Sequence, residues 1–173
     1  MSERSFKPIR SLTGRVRRRT PSTPSASLAV ERIGDRVSII DSAVYVDGDR
    51  VASPADLGDT YRTLHEHEDA VAWIGLYRPD QHELGSLAHE FDLHELAVED
   101  AIVAHQRPKL ERYDHTLFVV LRAAHYVDSR EEVEFGEVHV FVGPDFVITV
   151  RHSESPDLSA VRRRLESNPD LLA

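Results

Sequence analysis

No cysteine occurs among the 173 residues. Its absence excludes disulfides, thiolate zinc sites and cysteine nucleophiles, and it fits a reducing cytosol. Long apolar runs are missing too. The longest stretch without a charge is Thr20–Val30, 11 residues rich in Ser and Pro, whereas a membrane-spanning helix needs about 20 apolar residues. The N-terminus lacks the apolar core of a signal peptide. No glycine pattern fits a P-loop or a dinucleotide fold, and there is no Gly-x-Ser-x-Gly elbow. The sequence His89-Glu90-x-x-x-His94 is one residue too long for a zinc-hydrolase helix. Five helical steps set the two imidazoles about 140° apart, where four would set them about 40° apart. His65 and His67 point apart on a helix, and the other histidines of the ten are scattered. They read as solvated or hydrogen-bonded side chains without a ligand role.

What is present suits one compact domain with some flexible chain attached. Net charge is −9, unevenly placed. Residues 1–19 carry seven basic side chains against Glu3, and the remaining 154 residues carry 14 basic and 29 acidic ones. An acidic body attracts cations and disfavours phosphate backbones, so no nucleic-acid partner is expected. Residues 1–26 end in a Ser/Thr/Pro run and read as a disordered basic tail, with the folded domain spanning 27–173.

Short β-rich runs at Val37–Ile40 and Ala43–Val46, then Asp47-Gly48-Asp49, indicate a small hairpin. Ser53-Pro54 reads as the start of a helix running to about His67. Val71–Tyr77 is nearly continuously apolar, as in a strand buried on both faces. Asp80-x-x-Glu83 and Asp92-x-x-Glu95 read as two capping boxes, each opening a helix, with Pro108 ending the second. Strands are expected over Thr116–Ala124, Val133–Val142 and Phe146–Val150, the middle one partly wet on one face because Glu134, Glu137 and His139 interleave with Val133, Phe135, Val138, Val140 and Phe141. A last helix is expected from Ser155-Pro156, with Leu158, Val161 and Leu165 along one side. Helices interspersed among strands imply an α/β fold, a mixed sheet covered by helices.

The acidic stretch 92–100 carries the chemistry. On a helix Asp92, Glu95 and Glu99 share one face and Asp100 turns about 100° away. Carboxylate oxygens suit Mg2+, but two acids on one short helix hold such an ion poorly, and their pattern alone is that of a solvated face.

Leu93-His-Glu-Leu-Ala-Val-Glu-Asp100, followed by His105-Gln-Arg-Pro-Lys-Leu-Glu-Arg-Tyr113, resembles the N-terminal cytosolic domain of the CorA family of magnesium and cobalt transporters. Ala72–Tyr77, Leu117–Leu121, Val133–Val138, Phe141–Phe146 and Thr149–His152 continue the resemblance in order, over about residues 28–166. The resemblance implies an α/β/α sandwich with a central mixed sheet and helices on both faces. It implies a homopentameric channel, not an enzyme, at the cytoplasmic face of the plasma membrane, reached through C-terminal stalk and membrane helices that follow this domain. It implies a regulatory Mg2+, with Co2+ or Ni2+ as related ions and no organic cofactor. The family's acidic pair facing the next subunit corresponds here to Glu99 and Asp100. The family's Gly-Met-Asn pore motif has no counterpart, since the one Met is Met1, so the chain reads as a transporter fragment that cannot itself conduct ions. A zinc-moving branch of the superfamily, a stand-alone metal-responsive module and a histidine-based zinc enzyme are the alternatives. His105–Tyr113 reads as a surface loop of paired charges with no ligand role.

Overall fold

The computed structural model describes residues 38–154 and 156–172; the tail 1–26 and the boundary expected at 27 lie outside them. In chain order the elements are β1 (Ile39–Val46), β2 (Asp49–Ala52), α1 (Leu57–Glu66), β3 (Val71–Tyr77), α2 (Gln81–Glu90) and α3 (Glu95–Val103). They continue with β4 (Lys109–Tyr113), β5 (Thr116–Val127), β6 (Glu132–Val142), β7 (Phe146–Arg151), α4 (Ser159–Glu166) and a 3-10 turn at Pro169–Leu171. Among the described residues the strands form one sheet in the order β2-β1-β3-β7-β6-β5-β4. Only β3 and β7 run parallel, so the sheet is mixed.

Helices cover both faces, as expected. On one face Val44, Ile74, Leu76, Phe118, Phe141, Ile148 and Val150 meet Leu64 of α1, Leu84 and Leu87 of α2, and Ala97 and Ala101 of α3. On the other, Ala43, Tyr45 and Trp73 pack with Leu165 of α4 and with Leu172. This explains the unbroken apolar run of β3: Ile74 and Leu76 face one layer while Trp73 faces the other. Arg162 sits over the Trp73 ring at 4.5 Å and pairs with Asp41. Burial and the bond to Glu166 push the Tyr45 phenol well above its ordinary range.

Local signals succeed where one side chain serves one purpose. The Asp80 carboxylate accepts the Glu83 N–H and the Glu83 carboxylate accepts the Asp80 N–H, each at 2.8 Å, closing the capping box of α2. The second box does not form. Asp92 has φ 49° and ends α2 in a left-handed turn, with the Leu93 N–H donating to Ala88 O at 3.0 Å. His94 caps α3 instead, its Nδ1 accepting the Leu96 N–H. Helix α1 opens at Asp56, whose side chain accepts the Asp59 N–H, and not at Ser53-Pro54. Helix α4 begins at Ser159, and its inward side is Arg162 and Leu165, with Val161 exposed. The charged segment expected to be a loop contains a further strand, β4, at the sheet edge. Strand β6 is wet at one end and not on one face: 132–135 are exposed where β6 runs past β7, while Val138, His139 and Phe141 are buried.

The β1–β2 hairpin turns through Asp47 and Gly48, both at positive φ. A Cβ at Gly48 would strike the backbone of Pro169. Gly48→Ala should therefore cost about 1–3 kcal/mol, seen as a lower urea midpoint with an unchanged slope.

Candidate functional site

Helix α3 buries Ala97, Val98 and Ala101 against the sheet. That orientation decides where its acids point. Glu95 and Glu99 face outward, and Glu99 borders a shallow hollow with Gln81, Leu93, Glu95, Val98, Ile102 and Val103. Asp100 turns the other way, toward β4. Its Oδ2 lies 2.7 Å from Lys109 Nζ, which is also 2.7 Å from Glu111 Oε2. The Tyr113 hydroxyl donates to that same Glu111 oxygen at 2.9 Å. Hydrogen bonds donated to Asp100 and then to Glu111 raise the Lys109 pKa, and the bond accepted from Lys109 lowers that of Glu111.

The two acids singled out from the sequence are thus adjacent in the chain but separated in space. Asp100 carries a cation partner from its own chain, about one quarter exposed, and such pairs contribute on the order of 1 kcal/mol or less. Glu99 has no ion-pair partner among the described residues. No group of three or more His, Asp or Glu side chains among the described residues could hold a metal ion.

The histidines divide in two. His65, His94 and His115 border one cleft of about 340 Å³ with Glu90, Asp92, Asp114 and Asp145. His139, by contrast, is 0% exposed, and sequence reasoning missed it. It shares a sheet face with Phe141, a signal present in the spacing two residues apart but masked by its charged neighbours. Burial pushes its pKa down, and the Glu137 carboxylate 2.7 Å away pulls in the opposite direction without reversing the shift.

This architecture belongs to a known structural class. The full-length CmaX protein superposes with a TM-score of 0.60 at 20% identity, over 79% of this chain and 41% of that one. The ZntB cytoplasmic domain from Vibrio parahaemolyticus gives a TM-score of 0.55 at 13% identity, over 76% and 50%. At such identities the likeness is one of fold, the α/β/α domain these proteins share. Sequence then supplies the family. Residues 68–172 match the family described as CorA-like Mg2+ transporter protein, and the chain belongs to it.

YfjQ of Bacillus subtilis (strain 168), provisionally named a metal ion transporter, is 39% identical over 109 residues, 63% of this chain and 33% of YfjQ. The cobalt/magnesium transport protein CorA of Thermotoga maritima is 27% identical over 103 residues, 58% of this chain and 29% of that protein. The chain therefore spans about a third of the length of these curated relatives. The family is one of transporters and not of enzymes. Among the described residues no helix is long and apolar enough to cross a membrane.

Proposed function

We propose that this chain is the cytosolic regulatory domain of a CorA-type divalent-cation transporter. In this reading it senses Mg2+ through Asp100, with Glu99 beside it, in a site completed by a neighbouring identical subunit of a homopentamer. The observation that carries the reading is the outer side of α3. Leu96 and Val103, 52% and 61% exposed, flank Glu99 at i−3 and i+4. They form an apolar–acidic–apolar stripe that suits a protein neighbour better than water. The stripe lies one helical step from Asp100, and α3 falls within the family match.

Mg2+ keeps several of its waters and takes one or two carboxylates, so a few acids from two chains suffice. An ion that binds only when two domains are apposed stabilises the apposed, closed state by its differential affinity. Lys109 then has a definite part. It occupies Asp100 when Mg2+ is scarce and must be displaced, or shifted toward Glu111, when Mg2+ binds. The printed name of the Thermotoga relative makes Mg2+ and Co2+ the first ions to test, with Ni2+ next and Zn2+ as the competing reading. No organic cofactor enters this scheme.

Lys109→Met removes the competing charge and leaves both acids in place. The Mg2+ concentration that half-protects the native gene product from limited proteolysis should fall about three- to tenfold. An unchanged or higher midpoint would remove Lys109 from the mechanism. A midpoint that responds to Zn2+ and not to Mg2+ would favour the zinc branch.

A further inference from the structure

Two consecutive residues after α3, Ala104 and His105, have φ of 56° and 62°. Ala104, with ψ −166°, occupies a region nearly confined to glycine, so such a connection persists only where surrounding contacts hold it. One hold is Glu137. Its Oε1 accepts the Gln106 N–H at 3.0 Å and the His139 Nε2–H at 2.7 Å. With Nε2 donating to a carboxylate, His139 Nδ1 carries a bare lone pair, buried and without a hydrogen-bond partner among the described residues. The ring is stacked on Phe118 at 5.9 Å and edge-on to His152 at 5.8 Å. His152 itself donates Nε2–H to Ala101 O at 2.7 Å, at the C-terminal end of α3.

We propose that the His139–Glu137 pair is a proton-sensitive latch on the α3–β4 connection, closed while His139 is neutral and opened by a second proton on its ring. The groups facing His139 are Glu137 on its own strand, Asp100 on α3 and His152 after β7. Lys109 of β4 lies across the Phe118 ring, 5.5 Å from its centroid. The two carboxylates draw a proton in while His152 and burial oppose it, and burial is the largest effect. A proton on Nδ1 creates a buried donor with no acceptor. Water is the acceptor left to it, so the charged ring turns out of its seat. Glu137 then loses its inner partner, Gln106 its fixed acceptor, and the strained Ala104–His105 pair relaxes.

The sign follows from linkage. Between the depressed pKa of folded His139 and the unfolded value of about 6.5, the unfolded chain binds more protons than the folded one. Stability and closure of the connection both fall as pH drops through that window. The latch stands whether or not Asp100 binds a cation.

The test is amide hydrogen exchange on the 173-residue chain from pH 7.5 to 5.0 without divalent ions, corrected for intrinsic exchange. Protection at Ala104 and Gln106 should fall by up to about tenfold per pH unit within that window and level off below it. Phe141 and Ile148, inside the sheet, should keep theirs. In His139→Phe the pH response should vanish, with Gln106 exchanging at pH 7.5 as fast as it does in the wild type at low pH, because Glu137 has lost the ring that holds it. A wild-type Gln106 indifferent to pH, or the same response in His139→Phe, would overturn the proposal. Should that variant fail to fold, NMR titration of the wild-type ring decides. His139 titrating in step with the Gln106 amide supports the latch. A ring that titrates without changing Gln106, or stays neutral while Gln106 opens, rules it out.

Discussion

Phe118→Ala is expected to lower the unfolding free energy by about 3–5 kcal/mol, the range for removing a fully buried aromatic ring. Phe118 is 0% exposed, 4.9 Å from the Phe141 ring and stacked on His139. Its loss leaves a cavity where β5 and β6 meet the helical layer, and both neighbouring rings lose dispersion contacts that water cannot replace. A domain of this size has about 5–15 kcal/mol in all, so the variant should sit near the edge of folding. Phe135→Ala provides the control. Phe135 is 62% exposed on the stretch of β6 that runs past β7, and its removal should change stability by about 0.5 kcal/mol or less. Urea denaturation of both variants checks the pair. Equal losses would mean that the core is not where the sheet register places it.

The largest functional effect is expected from Asp100→Lys. The substitution replaces the proposed sensing carboxylate with an ammonium and sets it against Lys109, 2.7 Å from the original oxygen. Mg2+ protection of the native gene product against proteolysis should be lost, with the midpoint moving more than about tenfold. An attractive charge is removed and a repulsive one added, both against Mg2+ and each worth on the order of 1 kcal/mol at a solvated site. Asp100→Asn should give a smaller shift in the same direction. Lys109 keeps Glu111 as a partner in either variant, so the fold should survive, and thermal unfolding of the variants would verify that. A wild-type midpoint in Asp100→Lys would place the sensing acid elsewhere, with Glu99 the next residue to change.

Much of this could be read from the sequence, and the failures have physical causes. Strand β3 was legible because a strand dry on both faces must be apolar throughout. The capping box of α2 was legible because Asp80 and Glu83 serve only each other. Asp92 misled because its carboxylate spacing suits an N-cap, while its backbone was already committed to ending α2. Strand β4 was missed because an edge strand tolerates charge, and Lys-Leu-Glu-Arg-Tyr shows no apolar alternation to mark it.

The site was half legible for the same reason. Glu99 and Asp100 stand out on a short helix, but the partner of Asp100 becomes visible only when β4 pairs with β5 and carries Lys109 back beside α3. The burial of His139 likewise depends on its register between Val120 and Val150. Non-local pairing decides both.

The most direct test of the central claim is the intact mass of the native gene product, taken separately from membrane and soluble fractions. The transporter reading predicts a polypeptide well above the 19.6 kDa of this chain, confined to membranes. A 19.6 kDa product free in the cytosol would contradict it, and α3 would then be a metal-responsive or docking surface in a protein that transports nothing.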